Sequence, residues 1–134
     1  MRKLVDSYCF VCGPDNPKGL QIPCYWDEDQ YVAEFTPDRY HQGHPGITHG
    51  GIIASLFDEV MGKSLIHKGL MVVTAELNIK YIKPLPIGQP VIFRSNMREQ
   101  KNRAIKMAAS ATFEDGTVAA EAEAVMIIVE EEDI

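Results

Sequence analysis

The chain has 134 residues, 46% hydrophobic and 24% charged, with 13 basic against 19 acidic side chains and a formal charge of −6. That length supplies one core and no separate cofactor domain, and the composition excludes a disordered or fibrous chain. So acidic a chain lacks the broad positive field that a phosphate backbone requires, which argues against nucleic acid while leaving room for a local basic patch that holds a small anion.

The first nineteen residues, ending in CGPDNPKG, are dense in Gly, Pro, Asn and Asp and predict an irregular lead-in built from turns. Leu20 to Trp26 and Tyr31 to Phe35 are short apolar runs separated by three acidic residues, the pattern of a hairpin. TPDRYHQGHPGIT, residues 36–48, is too punctuated by Pro and Gly for regular structure. Apolar residues then recur at three- and four-residue steps from Ile52 to Leu65, predicting one helix over about residues 50–67. His67, Lys68 and Gly69 are its expected stop. Beyond it, Met71 to Ile82, Pro90 to Arg98, Arg103 to Phe113 and Thr117 to Val129 read as strands, the later ones joined by EQKN and EDG. The acidic tail, residues 130–134, is expected to fray.

The expected fold is therefore α+β, a single domain over 1–134 with one long helix against about six antiparallel strands. One helix covers only part of such a sheet, and the uncovered face or edge points to pairing of subunits into a homo-oligomer. No run approaches the roughly 18 uncharged apolar residues of a membrane span, and MRKLVDSYCF lacks the apolar stretch of a secretory signal. The three cysteines, Cys9, Cys12 and Cys24, are an odd number without an export signal, so they are expected as reduced thiols in the cytoplasm.

The most informative segment is HGGIIASLFDEVMG, residues 49–62. Two side-chain-free glycines open a helix whose first amides have no intrahelical partner, so a ligand carbonyl can approach them and be polarised; the same glycines also suit tight helix–sheet packing. Of the adjacent carboxylates, Glu59 has Lys63 four residues on, the order of a solvent-exposed pair. Asp58 has no cationic partner on its own helix and ranks above Glu59 as base or nucleophile. Cys9 and Cys12 can form half a zinc site with His41 and His44, a redox pair, or simply a packed turn, of which the packed turn is preferred. Cys24 reads as a small core residue, Trp26 as packing a sheet edge, and Phe57, Met61 and Leu65 as either core or pocket lining.

HGGIIASLFDE, with TAELNIKYIKPLPIG at residues 74–88 and the lead-in CFVCGPDNPKGLQI, resembles the hotdog-fold acyl-CoA thioesterases of the phenylacetate-pathway and thioesterase-superfamily-member-2 type. The resemblance covers essentially the whole chain. It implies a hotdog fold whose subunits pair through a continuous sheet, as a dimer or a dimer of dimers, with active sites at the interface. It implies hydrolysis of an acyl-CoA with no metal or redox cofactor, coenzyme A entering only as part of the substrate. It assigns the Gly50 N–H as donor to the thioester carbonyl and Asp58 as the carboxylate that activates water or attacks directly. Thr74 matches a hydroxyl that helps hold the water, and His49 orients the loop or the thioester. Gly51 and Asn78, with the basic residues Lys80, Lys83, Lys101 and Arg103, are the expected substrate contacts; Arg103 is first among candidates for the CoA phosphates, and any of these cations can instead be a solvated strand end. Gly43 stands where some relatives carry Asn, with His44 or Gln42 as possible substitutes. Two rival readings share the fold: an acyl-thioester dehydratase, whose His-to-acid spacing of fourteen is met by His44 and Asp58 while Ile53 breaks the rest of its pattern, and a non-catalytic acyl-CoA binding module.

Overall fold

The periodic run after the two glycines is a helix, α1, over Gly50–His67 in a computed structural model that describes residues 5–130 and residue 132. Its bounds are those the periodicity predicts. His49 caps it, Nδ1 accepting from the Gly51 N–H at 2.8 Å. At the other end Gly69, at φ +90°, donates to the Ile66 carbonyl while Leu70 donates to Leu65. That paired closure needs a left-handed residue, which glycine adopts without strain.

Six strands surround the helix: β1 Cys24–Asp27, β2 Gln30–Phe35, β3 Val72–Tyr81, β4 Val91–Lys101, β5 Ala104–Phe113 and β6 Val118–Ile128. They form one antiparallel sheet in the order β1-β2-β4-β5-β6-β3. Alternation decides which side chains face α1. Val91, Phe93 and Ser95 of β4, Ile105, Met107, Ala109 and Ala111 of β5, and Ala120, Ala122, Ala124 and Met126 of β6 are buried against it. Alanine at five of these eleven positions lets the helix lie close to the sheet, as the composition of these strands suggested. Phe57, Met61 and Leu65 are fully buried, so their role is core, with Phe57 edge-on to Phe93 at 5.0 Å. Trp26, at the β1 edge, stacks against Tyr31 at 5.0 Å under the Lys68 ammonium, and Cys24 packs against the core. Among the described residues no helix is long and apolar enough to cross a membrane.

Two boundaries differ from expectation by more than one residue. The first strand begins at Cys24 rather than Leu20. Leu20 and Ile22 donate instead to the Phe10 and Val11 carbonyls of the lead-in, Gln21 is left-handed at φ +55°, and Pro23 has no N–H for a ladder. β4 runs to Lys101, so the turn is Asn102-Arg103 rather than EQKN, with Asn102 at φ +58°. The lead-in over residues 5–19 is a series of turns. Residues 1–4, and residues 131, 133 and 134 of the tail, lie outside the described set.

Candidate active site

The first half of the site is the N-terminus of α1. Among the described residues nothing accepts from the Gly50 N–H, whereas the Gly51 N–H is taken by His49. Gly51 therefore fixes the cap rather than offering a donor. Because Nδ1 accepts, a neutral His49 carries its proton on Nε2, and the ring orients the helix start without serving as a base through Nδ1. Tyr81, at the end of β3, donates from Oη to the Gly50 carbonyl at 2.8 Å, and burial raises its pKa. A recess of about 290 Å³ lies here, lined by Gly50, Tyr81 and Lys83 among others. Gly43 packs on His49, where a Cβ would stand 3.2 Å from His49 Cα. The Gln42 Oε1 is held by the Gly46 N–H at 2.9 Å, and His44 is exposed on the same loop.

The second half is the exposed carboxylate of Asp58, whose Oδ1 accepts from Thr74 Oγ1 at 2.6 Å. A bulge makes this contact possible. Leu77 and Ile79 of β3 lean on the core, and strict alternation would turn Val73, not Thr74, to the helix. The register shift between Thr74 and Glu76 inserts Ala75, reverses the parity and aims Thr74 and the buried Val72 inward. Thr74 Oγ1 also lies 3.3 Å from Met126 Sδ, and the recess it shares with Asp58 measures about 230 Å³.

Within one chain the two halves cannot act on one carbonyl. Gly50 and Asp58 are eight residues apart, about 12 Å along the helix axis, whereas an oxyanion donor must sit within about 3 Å of the oxygen it stabilises. β3 lies at the sheet edge and among the described residues pairs only with β6, leaving the outer edge of a ten-residue strand open beside exposed Val73, Tyr81 and Ile82. Such an edge invites a second strand.

The predicted substrate contacts fall in different places. Lys83 lines the Gly50 recess, while Asn78 and Lys80 line a groove of about 410 Å³ with Arg94 and Arg98 on the outer sheet face. Arg103, beside the β4–β5 turn, pairs with Glu130 at 2.8 Å, both exposed, a contact worth little in water. Lys101 is exposed at the end of β4.

Glu59 corrects the sequence reading. Its pair with Lys63 exists at 3.5 Å, but the Glu59 side chain is only 5% exposed and Lys63 16%, so the pair is buried rather than solvated. The lead-in covers it. Cys9 Sγ lies 3.4 Å from Glu59 Oε1 and 3.2 Å from Lys63 Nζ, and Cys12 joins the same cluster. Burial, then Glu59, pushes the Cys12 thiol well above its ordinary range. Burial disfavours the Lys63 ammonium, but Glu59 and Cys9 outweigh it and raise its pKa. His41 is not part of this group: its Nδ1 accepts from the Asp38 N–H at 2.9 Å and its ring packs on Phe35. Tyr81 and the Cys9–Glu59–Lys63 cluster are the features that sequence reasoning missed. The KYIKP end of the strand hinted at the tyrosine only through its position, and nothing local revealed that the lead-in folds over α1.

Comparison with known proteins converges on one family. Residues 45–120 match the model of the thioesterase superfamily. Over 78 residues the chain is 36% identical to acyl-coenzyme A thioesterase THEM4 of Xenopus laevis, covering 58% of this chain and 35% of that one. It thus spans about a third of the length of that curated relative. Among solved structures, a thioesterase superfamily protein superposes with a TM-score of 0.84 at 26% identity over 94% of this chain and 70% of its own. A hypothetical thioesterase protein of Streptococcus pneumoniae, solved with coenzyme A, has a TM-score of 0.75 at 21% identity over 81% and 85%. That protein has also been solved with an aspartate, and separately with a threonine, replaced by alanine.

Proposed function

The chain belongs to the thioesterase superfamily, and we propose that it hydrolyses acyl-CoA thioesters in a site shared by two copies of itself. The observation that carries this reading is the pairing of an exposed, Thr74-held Asp58 carboxylate with an unpartnered helix N-terminal amide at Gly50, too far apart in one chain to meet one carbonyl. Antiparallel, two-fold pairing of β3 with its counterpart carries the Tyr81 end of one strand to the Thr74 end of the other. Gly50 of one copy then faces Asp58 of the second. Lys83, at the Gly50 end, and Arg103, at the Asp58 end, approach each other across the same boundary, where a polyanionic CoA needs cations.

The chemistry follows from the two halves. The Gly50 N–H, with the positive end of the α1 dipole behind it, polarises the thioester carbonyl and holds the oxyanion formed on attack. Thr74 fixes one Asp58 oxygen and leaves the other to take a proton from water, whose oxygen bonds to the carbonyl carbon. The C–S bond breaks as the oxyanion collapses, CoA leaves with that proton, and the acid remains. No metal or redox cofactor enters these steps. The fold of the Streptococcus pneumoniae neighbour and the coenzyme A it was solved with fit this reading, and its two substituted positions are sixteen residues apart, the separation of Asp58 and Thr74.

The test is Asp58→Asn assayed against short-chain, long-chain and aromatic acyl-CoAs. Loss of a general base predicts a fall in kcat of roughly 100- to 10,000-fold. Undiminished turnover with every substrate overturns the mechanism.

A further inference from the structure

A second cluster of chemically capable side chains lies beside Asp58, where the next residue of α1, Glu59, is buried under the lead-in. Cys9 Sγ, Cys12 Sγ and a Glu59 carboxylate oxygen lie within 4.8 Å of one another. The turn that brings the two sulfurs together is built for it. A Cβ at Gly13 would meet Cys9 N at 2.5 Å and Cys9 O at 2.6 Å, so only glycine lets the chain fold back at that point, where Gly13 donates to the Cys9 carbonyl at 2.9 Å. The turn is held rigidly. Val11 is buried in the core, and the carbonyls of Phe10 and Val11 accept from Leu20 and Ile22 at 2.8 Å.

The carboxylate is incompletely satisfied. Glu59 Oε1 meets Cys9 and Lys63, whereas Oε2 is buried and accepts no hydrogen bond among the described residues. A buried charged oxygen left unpaired is costly, and its presence marks a position that a further positive group would stabilise. Lys63 alone does not complete the site, because its ammonium reaches Cys9 Sγ and Oε1 and leaves Oε2 bare.

We propose that Cys9, Cys12 and Glu59 bind a thiophilic divalent cation of the zinc class, which ties the lead-in to α1 next to Asp58. Two thiolates and a carboxylate select zinc-like ions over magnesium or calcium, which take oxygen donors alone. Sulfurs on a tetrahedral zinc at about 2.3 Å stand roughly 3.8 Å apart, so the ligands need to draw in by no more than about 1 Å. Water takes the fourth position. Lys63 stays as an N–H donor to the Cys9 sulfur. Charge balances in both states: with both thiols protonated, Glu59 and Lys63 cancel, and the cation displaces two thiol protons so that three anionic ligands and Lys63 again sum to zero with it. A Cys9–Cys12 disulfide, by contrast, removes the thiols and leaves Oε2 as bare as before. Glu59 and Lys63 also line the recess that Asp58 shares with Thr74, but the proposal does not rest on the thioesterase reading, because its ligands include neither Asp58 nor Gly50.

Cobalt titration of the full-length protein, reduced and stripped with chelator, tests it. One equivalent of Co²⁺ should give thiolate-to-cobalt charge-transfer and tetrahedral d–d bands, release two protons and be displaced by Zn²⁺, and Zn²⁺ should raise the Tm of the wild type. Cys9→Ser and Cys12→Ser should abolish the bands, and Glu59→Gln should weaken binding by more than about tenfold. Absence of a thiolate–cobalt band from the reduced wild type at excess Co²⁺ overturns the proposal, whatever the variants do. Bands that persist in both serine variants overturn it equally.

Discussion

Replacing Gly50 by proline deletes the donor assigned to the thioester oxygen while sparing the fold. Gly50 is the first residue of α1, a position where proline fits because its missing N–H has no helical partner to lose. The residue before a proline must be extended, and the His49 cap already is, at φ −61° and ψ 132°. Space is available too, since a Cβ at Gly50 would lie 3.7 Å from the Tyr81 ring, an ordinary contact. The unfolded chain loses freedom, so stability should hold or rise by about 0.4–1 kcal/mol. The transition state, by contrast, loses one oxyanion donor, about 2.7–4 kcal/mol or a roughly 100- to 1,000-fold fall in kcat. Steady-state hydrolysis of the best acyl-CoA, beside a thermal melt, reads both quantities. A Gly50→Pro protein that melts at or above the wild-type temperature and keeps kcat within about threefold would refute the role given to this amide.

Three further outcomes follow from the same geometry. Thr74→Val keeps the shape of the side chain and removes the 2.6 Å bond to Asp58; kcat should fall by about tenfold with little change in Tm, measured on the same assay, because the carboxylate is exposed. Tyr81→Phe removes the donor to the Gly50 carbonyl, which should cost about 1 kcal/mol, seen as a Tm lower by a few degrees. Single-turnover hydrolysis in ¹⁸O-water should place the label in the product acid and none in Asp58, as general-base attack requires; label in the aspartate would mean direct attack by the carboxylate.

The helix was legible because its signals are local: a three-to-four periodicity, an N-terminal His-Gly-Gly and a Gly69 stop lie within one short segment. The strands and their hairpins were legible for the same reason, through alternation and short polar turns, but the order that sets β2 beside β4 and β3 beside β6 was not. What escaped was set by distant parts of the chain. β1 starts late because the lead-in claims the Leu20 and Ile22 amides. The i,i+4 rule found the Glu59–Lys63 pair but carries no information about depth, and the pair is buried by residues fifty positions away. Thr74 faces Asp58 only because of a bulge at Ala75, which no alternation pattern reveals; the family resemblance, not the spacing, pointed to it. Gly51, expected as a substrate contact, donates its amide to the His49 cap, a role that the two glycines alone did not announce.

The shared site is tested most directly by mixing two inactive variants. Gly50→Pro and Asp58→Asn should each be nearly inactive alone. In a mixed dimer one site carries both defects, while the other takes Gly50 from the Asp58→Asn copy and Asp58 from the Gly50→Pro copy. Random exchange makes half the dimers mixed, so an equimolar mixture unfolded and refolded together should recover about a quarter of wild-type activity. A mixture whose heterodimers are verified by native mass spectrometry, yet which is no more active than either variant alone, would contradict a site built from two chains.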